Sequence, residues 1–337
     1  EANHATKKGM SLMPISFGIS FTKTPMNQAR ALVHIYSDGT VGISTGAVEM
    51  GQGVNTKMLQ VAAQTFSIEP NRIKLESTNT TRVANTSPSA ASATADLNGK
   101  ALQKACDALS DRLKSSAATK FGVDANDITF RDNAILSQGE STGMSWNELV
   151  EQAFLERVCL SENGHYATPK IHYDKDKEKG HPFAYHVYGL ALTEVTVDCL
   201  RGTYEFDSVR LVHDFGKSMN LSVDIGQIEG GLIQGIGWMT LEELSYNNEG
   251  RLLSNSLSTY KIPDIYSIPK EVIIEHVDTA GTDMALLKSK AVGEPPLMYG
   301  IGAYFAINNA VLAFNSNAQL NFDAPFTHEK VLMGLYS

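Results

Sequence analysis

The sequence predicts a mixed α/β protein of two α/β lobes. Segments with two-residue alternation are interspersed with segments of helical periodicity along the whole chain. Each half contains a β-rich hairpin followed by a loop, a Gly-Gln pair and a helix. A polar stretch from Ser161 to His181 separates the halves, and its charge run, Asp174–Lys179, reads as a solvated loop. The expected lobes are therefore 1–165 and 166–337.

The elements follow in order. The polar opening, Glu1 to Lys8, reads as a linker end, and the lack of an initial methionine suggests a piece of a longer polypeptide or a processed subunit. Residues 12–36 alternate or run apolar. Leu32–Tyr36 and Val41–Ser44 flank Asp38-Gly39 and predict a hairpin. Lys57 to Phe66 has helical spacing (Met58, Val61, Ala62), Asn71 to Ser77 is a short strand candidate, and Asn98 to Lys114 places Leu102, Cys106, Leu109 and Leu113 on one helical face. Two strands from Ile128 to Leu136 turn at Arg131-Asp-Asn133, and Ser145 with Glu148 forms a capping-box pattern before a helix at Trp146. In the second half, Ala191–Cys199 and Tyr204–Val212 predict a hairpin, and a helix follows Asp224-Ile-Gly-Gln227 through Leu244. The two halves share no sequence identity that would mark a repeat. Gly235-Ile-Gly237 fails the dinucleotide pattern and reads as close helix packing.

Composition narrows the function classes. A net charge of −9 argues against a nucleic-acid surface and a polybasic membrane patch. No apolar run approaches the roughly 20 residues of a spanning helix. Cys106, Cys159 and Cys199 are far apart and odd in number, so neither a zinc site, nor an iron–sulfur cluster, nor a disulfide framework is expected, and a cytoplasmic protein is.

Four segments carry more glycine, small hydroxyl and amide residues than packing requires: Met50–Gly53, Asn85–Asp96, Ile225–Gly230 and Ala291–Pro296. Three of them directly precede expected helices. A helix N-terminus offers free N–H groups and a positive dipole end, and glycine lets an anionic ligand approach the backbone. Glutamine adds a donor and an acceptor for heterocycle edges. The combination fits a large, polar, phosphate-bearing ring cofactor, although a lone Gly-Gln-Gly is more often a capped turn and a lone Ser/Thr/Ala run more often a loop or a small-residue helix contact. Glu294 lies between Val292-Gly293 and Pro295-Pro296. A carboxylate in an apolar, proline-stiffened turn is costly unless paired or used. Two roles stay open from chemistry: a general base whose burial raises its pKa, or a structural cap on the helix from Tyr299.

Six ordered motifs resemble the molybdopterin-binding domain of the xanthine dehydrogenase family of molybdenum hydroxylases: Phe17–Thr22, Glu49–Gly53, Asn85–Gly99, Asp224–Gly230, Ser258–Pro263 and Lys290–Leu297. They span about residues 8 to 315, and the stretch from about Ala118 to Gly180 looks more like bacterial members than animal ones. The resemblance implies the fold of the xanthine dehydrogenase/aldehyde oxidoreductase type and the C-terminal part of that domain. It implies that Met50, Gly51, Gln52, Ala91, Ser92, Thr94 and Gln227 contact the molybdenum cofactor, in its molybdopterin or cytosine dinucleotide form. Thr94 stands where many members carry serine. It implies that Phe21, Thr22, Ala90 and Ala91 border the substrate, and that Glu294 is the general base. Because the pterin dithiolene holds the molybdenum, it implies no direct protein ligand. The implied activity is purine hydroxylation, hypoxanthine to xanthine to urate, with water-derived oxygen. The alternatives are an aldehyde oxidase or other N-heterocycle hydroxylase, and a non-catalytic cofactor-binding scaffold. Implied partners are the N-terminal half of the molybdenum domain and domains or subunits with 2Fe-2S clusters and FAD, in a dimer of the whole assembly.

Overall fold

A computed structural model describes residues 5–90, 92–277, 279, 281–318 and 321–337. The chain runs β1 (Thr6–Ile19), β2 (Gln28–Ile35), β3 (Val41–Thr45), α1 (Val54–Phe66), β4 (Ile73–Leu75), α2 (Thr94–Phe121), β5 (Ile128–Arg131), β6 (Ala134–Ser137), β7 (Glu140–Ser145), α3 (Trp146–Leu155), β8 (Ser161–Ala167), β9 (His172–Asp174), β10 (Lys179–His181), β11 (Tyr185–Asp198), β12 (Thr203–His213), α4 (Leu221–Thr240), β13 (Glu271–His276), α5 (Ile301–Phe314) and α6 (His328–Leu335). It divides into two compact units. The first holds Glu1–Gly18, His186–Gly281 and Ser289–Ser337, and the second holds Ile19–Tyr185 and Thr282–Lys288. The main crossing therefore falls at 185/186 rather than the expected 165/166. Within the polar stretch, Ser161–Ala167 pairs as β8 antiparallel with β2, and the charge run Asp174–Lys179 forms the exposed turn of the β9–β10 hairpin, solvated as expected.

The second unit is built on a four-stranded sheet, β4-β3-β2-β8, with a three-stranded β5-β6-β7 sheet beside it. The Asp38-Gly39 hairpin forms as expected: β2 and β3 pair antiparallel, and Thr40 N–H and hydroxyl both donate to Asp38 Oδ1. β3 is buried at every residue. α2 is longer than its periodic core because no breaker intervenes until Gly122, which takes the left-handed C-cap conformation at φ 66°. Its predicted face, Leu102, Cys106, Leu109 and Leu113, is fully buried. α3 starts with the predicted Ser145–Glu148 capping box, and the buried Trp146 ring packs on Phe66 and donates from Nε1 to Gly39 O at 2.8 Å.

The first unit repeats this topology. Its sheet order is β1-β11-β12-β13. In both units an antiparallel hairpin leads into a helix, and the next strand in that sheet lies parallel to the hairpin's second strand: β4 on β3, β13 on β12. The core gathers Val195, Phe206, Leu211, Ile228, Leu232, Tyr299 and Ile307.

Here α4 and the 3-10 turn Pro295–Gly300 touch backbone to backbone. A Cβ on Gly235 would lie 2.2 Å from Leu297 O, and one on Gly300 would lie 2.2 Å from Gly235 C. Only glycine permits this approach, so the expected packing role of Gly235 is correct. The stretch Pro295–Phe314 is, against the sequence expectation, long and apolar enough to cross a membrane by length and composition. Half of it is buried in the protein, as in a core helix.

Gly235→Ala therefore forces the turn off α4. We expect it to lower stability by about 1–3 kcal/mol, read as a fall in the urea midpoint.

Candidate cofactor and proton-transfer site

In the second unit three of the predicted segments are stitched together. Ser87 N–H donates to Gln28 O at 3.2 Å, and its hydroxyl donates to Met26 O. Val48 N–H donates to Ser89 Oγ at 2.8 Å. The loops at 20–28, 48–53 and 85–90 are thus one hydrogen-bonded cluster. Phe21 is held by its backbone: its N–H donates to Asn27 Oδ1 and its C=O accepts from Asn27 Nδ2, both at 2.8 Å. The ring is half-buried, and Thr22 beside it is exposed. Asn27 is buried at 2% exposure and was not singled out by the sequence, because an Asn six residues from its partner leaves no periodic trace.

The Met50–Gly53 loop is organised from within. Gly51 and Gly53 take φ values of 98° and 77°. Gln52 Oε1 accepts from Met50 N–H at 2.5 Å and Gln52 Nε2 donates to Val48 O at 2.8 Å. The Met50 side chain is exposed. Glu49 accepts from the N–H groups of Gly51, Gly53 and Asn55 at 2.9–3.0 Å. Partial burial pushes the Glu49 carboxyl up, but these N–H groups more than offset that and hold it below the usual carboxylate value. The start of α1 therefore already has an internal anion in Glu49. An acid two to six residues ahead of a Gly-x-Gly helix start was the available signal.

α2 differs. It begins at Thr94 without a side-chain cap, after Ser92 at φ 50°. Asp96 is turned away from the helix start: its carboxylate accepts from Tyr185 OH at 2.6 Å and Leu286 N–H at 2.8 Å. Ala90 is exposed, and Ala91 lies outside the described residues.

In the first unit, Gln227 lies in the second turn of α4, because the helix begins earlier than expected, at Leu221 behind the Asn220 cap. Gly226 and Gly230 on either side are exposed, and a Cβ on either would meet nothing within 4 Å. This leaves a side-chain-free surface next to the Gln227 amide. Glu294 is exposed, while Val292, Pro295 and Pro296 are buried. The apolar enclosure inferred from sequence is thus formed by its neighbours and does not cover the carboxylate. Glu294 precedes the 3-10 turn without a side-chain cap bond to it.

Behind Glu294 the turn is anchored by His213. Ala291 O can only accept, so His213 Nε2, 3.4 Å away, carries the proton, and Nδ1 accepts from Tyr299 OH at 2.7 Å. Burial lowers the His213 pKa to about 4 from an ordinary 6.5, against the opposing pull of Ala291 O, Asp214 and Asp224, and burial pushes the Tyr299 phenol up. Taken by itself, the second unit offers an uncapped helix start with hydroxyls at Ser92 and Thr94, which suits a phosphate, and the first offers a half-buried Gln227 amide beside open glycine surface, which suits a heterocycle edge.

Glu49→Ala should loosen the start of α1 by about 1 kcal/mol, seen as faster amide exchange at Gly51, Gly53 and Asn55. His213 gives a pH effect. An unfolded chain protonates this histidine below about pH 6.5, whereas the folded chain resists until about pH 4. Stability is unaffected above pH 6.5 and falls between the two values, by at most about 3 kcal/mol at 1.36 kcal/mol per unit. In urea titrations from pH 8 to 4, His213→Gln should flatten that acid limb.

A family model described as "Molybdopterin cofactor-binding domain" matches residues 1–269. Xanthine dehydrogenase/oxidase of Felis catus is 40% identical over 340 residues, covering 98% of this chain and 24% of the relative. Aldehyde oxidase 2 of Macaca fascicularis is 38% identical over 335 residues, covering 98% and 23%. The solved quinoline 2-oxidoreductase from Pseudomonas putida 86 has a TM-score of 0.85 at 21% identity, covering 99% of this chain and 42% of that one, and shows the same fold. The chain spans about a quarter of the length of the curated relatives it matches. With residues 1–269 of 337 matched by that model, the chain belongs to the molybdopterin cofactor-binding domain family.

Proposed function

We propose that the chain is a cofactor-binding portion of a larger molybdenum hydroxylase acting on purines, with Glu294 as its general base. One observation carries the reading: Glu294 is exposed on a turn anchored by the buried Val292, Pro295 and Pro296. A backbone so anchored holds its carboxylate near one position, within reach of a reactant.

When bound, the molybdenum cofactor supplies the redox chemistry that puts water-derived oxygen on an electron-poor carbon. The chain's residues bind, orient and move a proton. Ser92, Thr94 and the start of α2 receive the phosphate. Gln227 meets the pterin edge over the bare surface of Gly226 and Gly230. Gly51 and Gln52 shape the loop at Met50, which packs on the ring system. Ala90 and Ala91 border the substrate, and Phe21, with its backbone pinned by Asn27, offers an aromatic face with Thr22 beside it. Glu294 Oε takes up the proton that the attacking oxygen loses.

Exposed Leu257, Ile262, Ile265 and Tyr266 support an interface with further segments of the enzyme. By the same reading, those segments carry the remaining molybdenum-domain residues, the 2Fe-2S clusters and FAD, in a cytoplasmic dimer. The identities of 40% and 38% to a xanthine dehydrogenase/oxidase and an aldehyde oxidase favour aldehyde oxidation almost equally. Parallel turnover assays with hypoxanthine and an aromatic aldehyde separate the two.

In the full enzyme, Glu294→Gln should lower kcat/KM for hypoxanthine by about 100- to 10,000-fold, with molybdenum and pterin content unchanged. Turnover near the wild-type rate in the loaded variant removes the base and leaves the scaffold reading.

A further inference from the structure

Glu294 stands between two points that the end of β12 grips from within the first unit. Ahead of it, the Lys290 ammonium pairs with the Asp214 carboxylate, their side chains only 11% and 4% exposed. Asp214 Oδ1 accepts further from the Thr279 hydroxyl and, at 3.2 Å, from Gly216 N–H. The backbones join as well: Lys290 N–H donates to Phe215 O at 2.9 Å, and Gly216 and Ser289 form an antiparallel bridge. Beyond Glu294, Tyr299 is held by His213, which also faces Ala291 O. Between the two grips, Pro296 and Leu297 rest on Gly231 and Gly235.

A buried ion pair is a poor device for stability alone, because desolvation consumes much of its attraction and apolar side chains of similar volume serve as well. What it adds is register. Asp214 and Lys290 are 76 residues apart, and their bond allows one alignment of the two segments. The alignment matters where a functional atom rides on the held segment, and Glu294 lies four residues after Lys290.

We propose that Asp214 and Lys290 are positioning residues for Glu294, their ion pair fixing the alignment of the turn that presents its carboxylate. The inference rests on Glu294 being the base. It assigns the pair a share of the rate without contact to cofactor or substrate. Displacing a reacting group by about 1 Å costs on the order of 100-fold in rate, so a slipped turn is visible in kcat while the fold survives.

The test uses the full-length, cofactor-loaded enzyme. Lys290→Met strands a buried carboxylate and risks misfolding, so the main variant is the charge-neutral Asp214→Asn/Lys290→Met. It should retain molybdenum and pterin content, lose about 10- to 100-fold in kcat with a smaller change in KM, and show faster amide exchange at residues 289–299. Lys290→Arg should recover most of the rate. Added to Glu294→Gln, the pair variant should lower kcat no further, because its effect passes through Glu294. A loaded pair variant with wild-type kcat and exchange overturns the proposal. So does a loss of equal size in the Glu294→Gln background, which leaves the base intact as a reading. Glu294→Gln at the wild-type rate instead removes the base itself.

Discussion

The backbone contact between α4 and the turn at Pro295–Gly300 is the constraint on which the first unit's site depends. Gly235 and Gly300 approach so closely that one added carbon would overlap the other's main chain. That contact seats Pro295 and Pro296 in the core and leaves Glu294 at the surface. It also sets Tyr299, a fully buried residue, under the end of β12, where Gly189 leaves room for its hydroxyl: a Cβ there would lie 1.7 Å from it. A short run of small residues thus fixes the placement of one carboxylate, and apolar burial around it supplies the rigidity.

Polar groups in the two units are handled in contrasting ways. In the second, Glu49 supplies a permanent anion at the start of α1, and Gln52 spends its amide on the loop's own backbone. These residues shape the loop. The start of α2 has no such internal carboxylate, because Asp96 is committed to Tyr185 and Leu286. Two helix starts of similar sequence character therefore differ in electrostatic readiness for a phosphate. In the first unit the buried charges of Asp214 and Lys290 satisfy each other and the backbone around them.

Much of the fold was legible in the sequence because it rests on local signals. The Asp38-Gly39 turn, the Ser145–Glu148 box and the apolar face of α2 each lie within a few residues of one another. The topological echo between the halves was legible too, since hairpin and helix recur in the same order. The domain crossing was not, because the polar composition of Ser161–Ala167 hides an edge strand whose partner, β2, lies more than a hundred residues earlier. The start of α4 was missed because the Asn220 cap precedes the Gly-Gln pair that drew attention. Among the site residues, the ordered motifs marked Glu294 and Gln227. The residues that hold them or their counterparts (Asn27, Glu49, Asp214, Lys290) act through distant or backbone contacts that no spacing rule registers.

The central claim is that this chain presents Glu294 as a fixed proton acceptor. The most direct measurement is a crystal structure of the full enzyme with cofactor and a slow purine substrate. The account predicts a Glu294 oxygen at about 3 Å from the reacting atoms, on a turn unchanged from Lys290 to Tyr299. A Glu294 side chain turned away into a structural ion pair, with the reacting atoms served by another group, would contradict it.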